Sequence, residues 1–341
     1  MIDYRRDLDI VFSSPVEWTA FKDSKILVTG ATGRLGIYLI RSLLEANKRF
    51  NLGITILALA RKPEKVHAVL GDIIKNKSLN VFYQDINMLF EYNSTVDYIF
   101  HTAGQASPSD YVAPVDTLWG HVNGTHNILE FARKHDTRKI LYVSTVEVYG
   151  DWKSEYMIKE SDMGPLFHAK ARACYPEAKR LCETMLASYQ LQYGIDYTVV
   201  RMSHTIGAGV SLTDGRGFAE FIDTALKGKD IILHSDGRTV RTYTYTADAI
   251  GGMFTAFTKG NDQYYNIANS NNELSILELA NLIASLVPKP VQVKFDSSVK
   301  PSLSYLPYKI GILDASELKK LGWQPQVNVH NTLLWTIESF L

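Results

Sequence analysis

The sequence predicts an α/β fold, a doubly wound parallel sheet joined to a smaller lobe toward the C-terminus. Three observations carry that reading. Short apolar runs rich in β-branched residues recur at 26–28, 54–60, 80–86, 96–101, 139–143 and 196–202, and their length suits buried strands. Stretches with apolar residues at helical spacing separate several of them, the pattern of helices that connect parallel strands. Glycines gather where the first strand meets the first helix, at Gly30, Gly33 and Gly36.

Residues 1–23 form an arm ahead of the sheet, which Trp18 and Phe21 could anchor. The first strand, Lys25 onward, then enters the turn Thr29-Gly30-Ala31-Thr32-Gly33-Arg34-Leu35-Gly36 and a helix through Leu44. Gly30 allows a sharp turn, Gly33 lets backbone approach a bulky anion, and Gly36 lets the helix pack close to its strand. The N–H groups and dipole of the helix start suit a diphosphate. The stretch predicts dinucleotide binding, with Gly30, Thr32, Gly33, Arg34, Leu35 and Gly36 around the cofactor.

The second strand, 54–60, lacks the acidic residue that holds the adenosine ribose hydroxyls where NAD binds. Arg61 and Lys62 stand there instead. Either they await a 2′-phosphate, which means NADP, or they belong to a solvated loop. The third strand runs to Ile86. Asp85 near its end either accepts from the adenine amino group or caps a turn. The fourth strand leads into Ala103 and Gly104, small residues that let a cofactor ribose pass, and then into a polar loop containing Ser107. A helix follows at about 115–135.

The fifth strand, 139–143, ends in Ser144-Thr145-Val146-Glu147-Val148-Tyr149-Gly150. In extended backbone Thr145 and Glu147 project to one side. Tyr175 and Lys179 share one face of a helix that runs to about Tyr193. An ammonium beside a phenol lowers the phenol's pKa, so Tyr175 could take a proton from an alcohol. After the sixth strand come Asp214-Gly215-Arg216 and Arg238-Thr239-Val240-Arg241. These arginines either clamp a second diphosphate bidentately or lie as surface charges near loops. A late strand at 264–268 and an amphipathic helix at 275–286 follow. Pro288, Pro290 and Pro301 punctuate the next stretch, and a final helix starts near Asn331.

Of the 341 residues, 46% are hydrophobic and 21% charged, the balance of a soluble globular chain. Lysines and arginines number 36, as do the acidic residues, so neither a nucleic-acid nor an anionic-membrane partner is expected. The N-terminus is too charged for a signal peptide, and no apolar run reaches the roughly 20 residues of a membrane span. Cys174 and Cys182 lie eight apart in one expected helix, poor geometry for a disulfide. A reducing, cytoplasmic location is therefore expected. No metal site is expected.

Thr-Gly-Ala-Thr-Gly-Arg-Leu-Gly at 29–36, His-Thr-Ala-Gly at 101–104, Ser-Thr-Val-Glu-Val-Tyr-Gly at 144–150 and Tyr-Pro-Glu-Ala-Lys-Arg at 175–180 carry a resemblance. From about residue 24 onward the chain resembles the extended short-chain dehydrogenase/reductase family, the nucleotide-sugar epimerases and dehydratases. Arg172-Ala173-Cys174-Tyr175, Asp214-Gly215-Arg216 and Thr239-Val240-Arg241 look most like its UDP-glucuronate decarboxylases.

The resemblance implies a Rossmann-type domain from 24–203 and 240–270, and a discontinuous nucleotide-sugar domain from 204–239 and 271–341. It implies NAD, with NADP not excluded, a nucleoside-diphosphate sugar as substrate, and a homodimer packed through the helices near 115–135 and 174–193. Thr145, Glu147, Tyr175 and Lys179 would be catalytic. Ser107, Arg172, His204, Arg216 and Arg241 would bind substrate. Tyr175 would act on the sugar's C4 hydroxyl and Glu147 at C5, giving decarboxylation, epimerisation or elimination. An NADP-linked ketoreductase and a scaffold without activity are the rival readings.

Departures from the family pattern bear on the sugar. Val146 stands where dTDP-glucose 4,6-dehydratases carry an acid. The lysine that meets the sugar carboxylate in decarboxylases is missing from Trp119-Gly120-His121-Val122-Asn123-Gly124-Thr125. His121 and His204 occupy asparagine positions. These changes reshape the expected pocket and weigh against glucuronate.

Overall fold

The computed structural model describes residues 2–166, 169–296 and 310–341, so Pro301 lies outside the described residues. Its elements in chain order are α1 (Tyr4–Ser13), β1 (Lys25–Thr29), α2 (Arg34–Phe50), β2 (Thr55–Ala60), α3 (Pro63–Leu70), β3 (Leu79–Tyr83) and β4 (Tyr98–His101). Then come α4 (Pro114–Lys134), β5 (Lys139–Thr145), α5 (Cys174–Tyr193), β6 (Asp196–Met202), β7 (His204–Ile206), α6 (Gly217–Leu226), β8 (Ile231–Leu233) and β9 (Val240–Tyr245). The chain finishes with α7 (Thr246–Lys259), β10 (Tyr264–Ile267), β11 (Glu273–Ser275), α8 (Ile276–Leu286), β12 (Val293–Phe295), α9 (Ser316–Lys320) and α10 (Val329–Glu338).

Seven strands form one parallel sheet in the order β10-β6-β5-β4-β1-β2-β3. The doubly wound α/β class is therefore correct. The chain starts at β1, winds outward to β3, and returns to lay β4 on the other side of β1. That reversal opens a crevice at the carboxyl ends of β1 and β4, where ligands bind in such sheets. Strand alternation explains the two-sided core. Ile26 and Val28 pack with Val11, Phe21, Ile40 and Phe254 on one face, whereas Leu27 packs with Ile99, Ile128, Ile140 and Leu186 on the other.

A second apolar cluster, with Phe218, Ile222, Leu233, Tyr243, Leu279, Ile283 and Leu333, gathers α6, α8 and α10 around short strands. There β9 pairs with β7 and β11 rather than with the large sheet. The arm is anchored as expected, with Trp18 and Phe21 buried. Its helix α1 also inserts Asp7, which accepts hydrogen bonds from the Tyr38 hydroxyl of α2 and, at 2.7 Å, from that of Tyr245. Among the described residues no helix is long and apolar enough to cross a membrane.

Two expected boundaries move. The third strand stops at Tyr83, and the chain turns at Asp85. The segment after β5 is not extended: Val146–Tyr149 coils into a 3-10 turn.

Candidate active site

The crevice wall on the β1 side is made of backbone. Gly30 sits at φ +68°, and a Cβ there would lie 2.8 Å from the Thr102 hydroxyl. A Cβ on Gly36 would come within 2.2 Å of the Gly30 carbonyl oxygen. Neither position admits a side chain. Helix α2 then begins with Gly33 as its cap and no side chain over its first N–H groups, which leaves those donors for an anion. These residues fit a dinucleotide diphosphate.

Behind the cradle, the Thr29 hydroxyl and His101 Nδ1 are 2.8 Å apart, and His101 Nε2 is 3.2 Å from the Thr125 hydroxyl. Burial, then the Lys179 charge, lowers His101 to about 3. A neutral imidazole therefore ties β1, β4 and α4 together. Thr32 and Leu35 are half-buried at the rim. Arg34 turns across the crevice instead, and its Nη2 donates to the Thr205 carbonyl on β7 at 2.8 Å. Burial and the nearby Arg216 lower it to about 10, which leaves it charged at neutral pH.

The rim near β2 and β3 shows local pairing. The Arg61 guanidinium lies 3.6 Å from Asp85. Asp85 also accepts from the Asn87 backbone N–H and side-chain amide at 2.9 and 3.0 Å, the turn role. Ile86 packs over Gly124, and its carbonyl accepts from Asn127 at 2.9 Å. Ala103 is half-buried beside Gly104. The close approach that Gly104 permits is to His121, whose Cε1 would lie 2.3 Å from an added Cβ. His121 Nε2 donates to the Gln105 carbonyl at 2.8 Å. Burial first, then the Lys179 charge, lowers its pKa to about 3, so the ring stays neutral.

Three of the four expected catalytic side chains, Thr145, Glu147 and Tyr175, meet where β5 ends and α5 begins. The Thr145 hydroxyl caps the 3-10 turn by accepting from the Glu147 N–H at 3.3 Å. That turn, not an extended strand, delivers Glu147 to the site. Tyr175 is buried against it and pushed up to about 12, by burial first and by the Glu147 charge second. The Thr145 hydrogen bond, Arg216 and Arg172 pull it down.

The expectation that Lys179 lowers Tyr175 is corrected here. The Lys179 ammonium donates to the Val143 carbonyl at 2.7 Å and lies 4.5 Å from the Tyr142 ring centre. Burial lowers Lys179 itself to about 8. Ser144 also turns away from the crevice, donating to the buried Glu183 that pairs with Arg201.

Glu147 does not stand alone. Arg172 Nη2 lies 3.0 Å from its Oε2 and donates to its Oε1 at 3.2 Å. The Arg172 guanidinium covers the Tyr111 ring at 4.3 Å, and that ring stacks on Tyr175 with centres 5.3 Å apart. Tyr111 escaped sequence reasoning, because a loop aromatic carries no periodic signal.

On the sugar side, Arg216 donates to Asp214 and to the Ala106 carbonyl, both at 2.7 Å. Ser107 forms a reciprocal cap with Asp110, and the Ser109 hydroxyl donates to the Asp214 carbonyl at 3.2 Å. The loop after β4 is thereby latched to residues 214–216. His204 is lowered to about 3, chiefly by burial and then by Arg241 and Arg216. Arg241 donates to its own neighbour's carbonyl, Val240, at 3.1 Å. His204, Arg241, Ser203, Thr242 and Val146 border a cavity of about 10 Å³, enough for one water.

Residues 26–268 match the model of the NAD dependent epimerase/dehydratase family. The chain is 30% identical to UDP-glucuronic acid decarboxylase 1 of Danio rerio, over 98% of this chain and 78% of that protein. It is also 30% identical to UDP-glucuronic acid decarboxylase 3 of Arabidopsis thaliana, over 93% of this chain and 89% of the relative. Among solved structures, an epimerase of Methanothermobacter thermautotrophicus superposes with a TM-score of 0.81 at 19% identity, over 99% of this chain and 96% of the other.

Proposed function

The chain belongs to the NAD dependent epimerase/dehydratase family, and from that premise we propose that it modifies a nucleoside-diphosphate sugar as a UDP-glucuronate decarboxylase-like enzyme. It would oxidise the sugar at C4 and act at C5. The observation that carries the reading is the junction of β5 and α5, where Thr145 and Glu147 flank one buried phenol, Tyr175, and Lys179 is held on the Val143 carbonyl of β5. The Gly30–Gly36 cradle and the start of α2 would hold NAD, which supplies the hydride acceptor when bound.

Once its own proton is lost, Tyr175 takes that of the C4 hydroxyl, which Thr145, beside the phenol, orients. Glu147 Oε2 is buried and ion-paired with Arg172 at 3.0 Å but accepts no well-aligned hydrogen bond, so it keeps the capacity to accept one from water or a substrate hydroxyl beside C5. Arg216 and Arg241 would meet the substrate diphosphate, as would the neutral His204 beside them. Ser107 belongs to the loop that closes over it. Val146, fully apolar, offers no proton to a leaving hydroxyl, which favours loss of CO2 over loss of water.

The deciding experiment incubates the protein with UDP-glucuronate, UDP-glucose, UDP-N-acetylglucosamine and dTDP-glucose and follows the products by mass spectrometry. Loss of CO2 from UDP-glucuronate, abolished in Tyr175→Phe, is expected. No product from any of them, with Tyr175→Phe indistinguishable, would overturn the reading. The cations Arg61 and Lys62 favour a second reading, an NADPH-consuming reductase. That reading requires a net fall in absorbance at 340 nm, whereas a self-recycling enzyme shows none.

We also propose a homodimer through α4 and α5, whose Val115, Trp119, Leu181 and Leu191 are exposed apolar residues. Light scattering should give twice the chain mass, and Trp119→Glu with Leu181→Glu should give the monomer. Both thiols are buried and free, which suits a reducing, cytoplasmic setting.

A further inference from the structure

We propose that Arg172 is a positioning residue for this reaction: seated on Tyr111, it holds the Glu147 carboxylate beside Tyr175 and balances its negative charge. The proposal rests on the reading above and departs from the substrate-binding role that family resemblance implies for Arg172. Three contacts carry it. Arg172 Nη2 approaches both Glu147 oxygens, at 3.0 and 3.2 Å. Its guanidinium plane covers Tyr111 at 4.3 Å. Tyr111 in turn stacks on Tyr175 at 28° and donates to the Ala106 carbonyl at 3.2 Å. The side chains of Arg172 and Glu147 are only 10% and 12% exposed.

A planar guanidinium suits this place, because it can stack on one ring and pair with a carboxylate in the same plane. An ion pair this buried is costly to break by removing one member, since the other stays desolvated and uncompensated. Here the uncompensated charge would fall on Tyr175. The charged or titratable groups that face the phenol are Glu147 from the 3-10 turn, Arg172 ahead of α5, Arg216 from the loop before α6, Tyr111 from the loop after β4, His121 from α4 and Tyr142 from β5. Glu147 opposes ionisation of Tyr175, whereas Arg172 and Arg216 favour it. Without Arg172, Glu147 would make Tyr175 harder still to ionise and would drift from C5.

The test uses the full chain with NAD bound and 3-fluorotyrosine incorporated, and Tyr175→Phe assigns the residue-175 signal by fluorine NMR. In Arg172→Gln, the ionisation of residue 175 should move up by about one pH unit, the order expected of one uncompensated nearby charge. The double variant Arg172→Gln/Glu147→Gln should bring it back toward the parent, and with both charges gone this variant escapes any folding defect of the single one. On UDP-glucuronate, Arg172→Gln should lower kcat by ~100-fold with KM changed less than about threefold, and Arg172→Lys should recover part of the rate.

A raised KM with the residue-175 ionisation unmoved, or a double variant that restores nothing, overturns the proposal and returns Arg172 to substrate binding. If the parent protein turns over no nucleotide sugar, the functional reading fails by itself. The NMR titration still decides the role of Arg172.

Discussion

The cradle at the start of α2 and the sugar side of the crevice are built from different material. The cradle is main chain, and two glycines keep it open because any Cβ would collide with backbone or with Thr102. The sugar side is side chain, and its cations already hold partners: Arg216 has Asp214 and the Ala106 carbonyl, and Arg172 has Glu147. One surface is ready for an anion. On the other, an incoming diphosphate must exchange internal hydrogen bonds for its own, so only the difference contributes to affinity.

That contrast can be broken at its strongest point first. Gly36→Val drives a branched side chain into the Gly30 carbonyl and should cost ~4 kcal/mol or more, among the severest of point changes. A calorimetric Tm and cofactor titration by tryptophan quenching should show a large fall in both, and a normal Tm would mean that the cradle yields. Tyr175→Phe, in the wall between the two regions, should reduce kcat by ~10³-fold while leaving Tm nearly unchanged. Arg216→Met removes charge-assisted hydrogen bonds of about 1.5–3 kcal/mol, part of which it already spends on Asp214. KM for the nucleotide sugar should rise ~10-fold with NAD affinity untouched, and an unchanged KM would erase the distinction between the regions.

The smallest effect is a pH limb. Burial lowers Lys179 to about 8, so its charge is present below that pH and is lost as pH rises through it. The kcat/KM profile should fall a few-fold there. Lys179→Arg, which stays charged, should flatten the limb even if the rate is lower.

The same division explains what could be read beforehand. The strand runs, the Gly30–Gly36 turn and the Tyr175/Lys179 helix are local patterns of two to eight residues, and apart from the third strand, which stops short at Tyr83, each stands where its pattern put it. Glu147 did not, because Val146 and Val148 are strand formers by propensity and the Thr145 cap that coils them is a side-chain event. Arg172 with Glu147, and Gly104 with His121, are pairings across the fold. No spacing encodes them. Nor did an adjacent lysine in sequence mean an adjacent ammonium in space, since the Val143 carbonyl had the better claim on Lys179.

The buried carboxylate of Asp7 has a practical consequence for anyone preparing this protein. The segment matched at 26–268 begins after the arm, yet the arm supplies the acceptor for two interior phenols and the plug formed by Trp18 and Phe21. A gene trimmed to that boundary would strand each hydroxyl at about 1–3 kcal/mol apiece and expose an aromatic socket. Expression should therefore start upstream of Asp3, which caps the helix that carries Asp7.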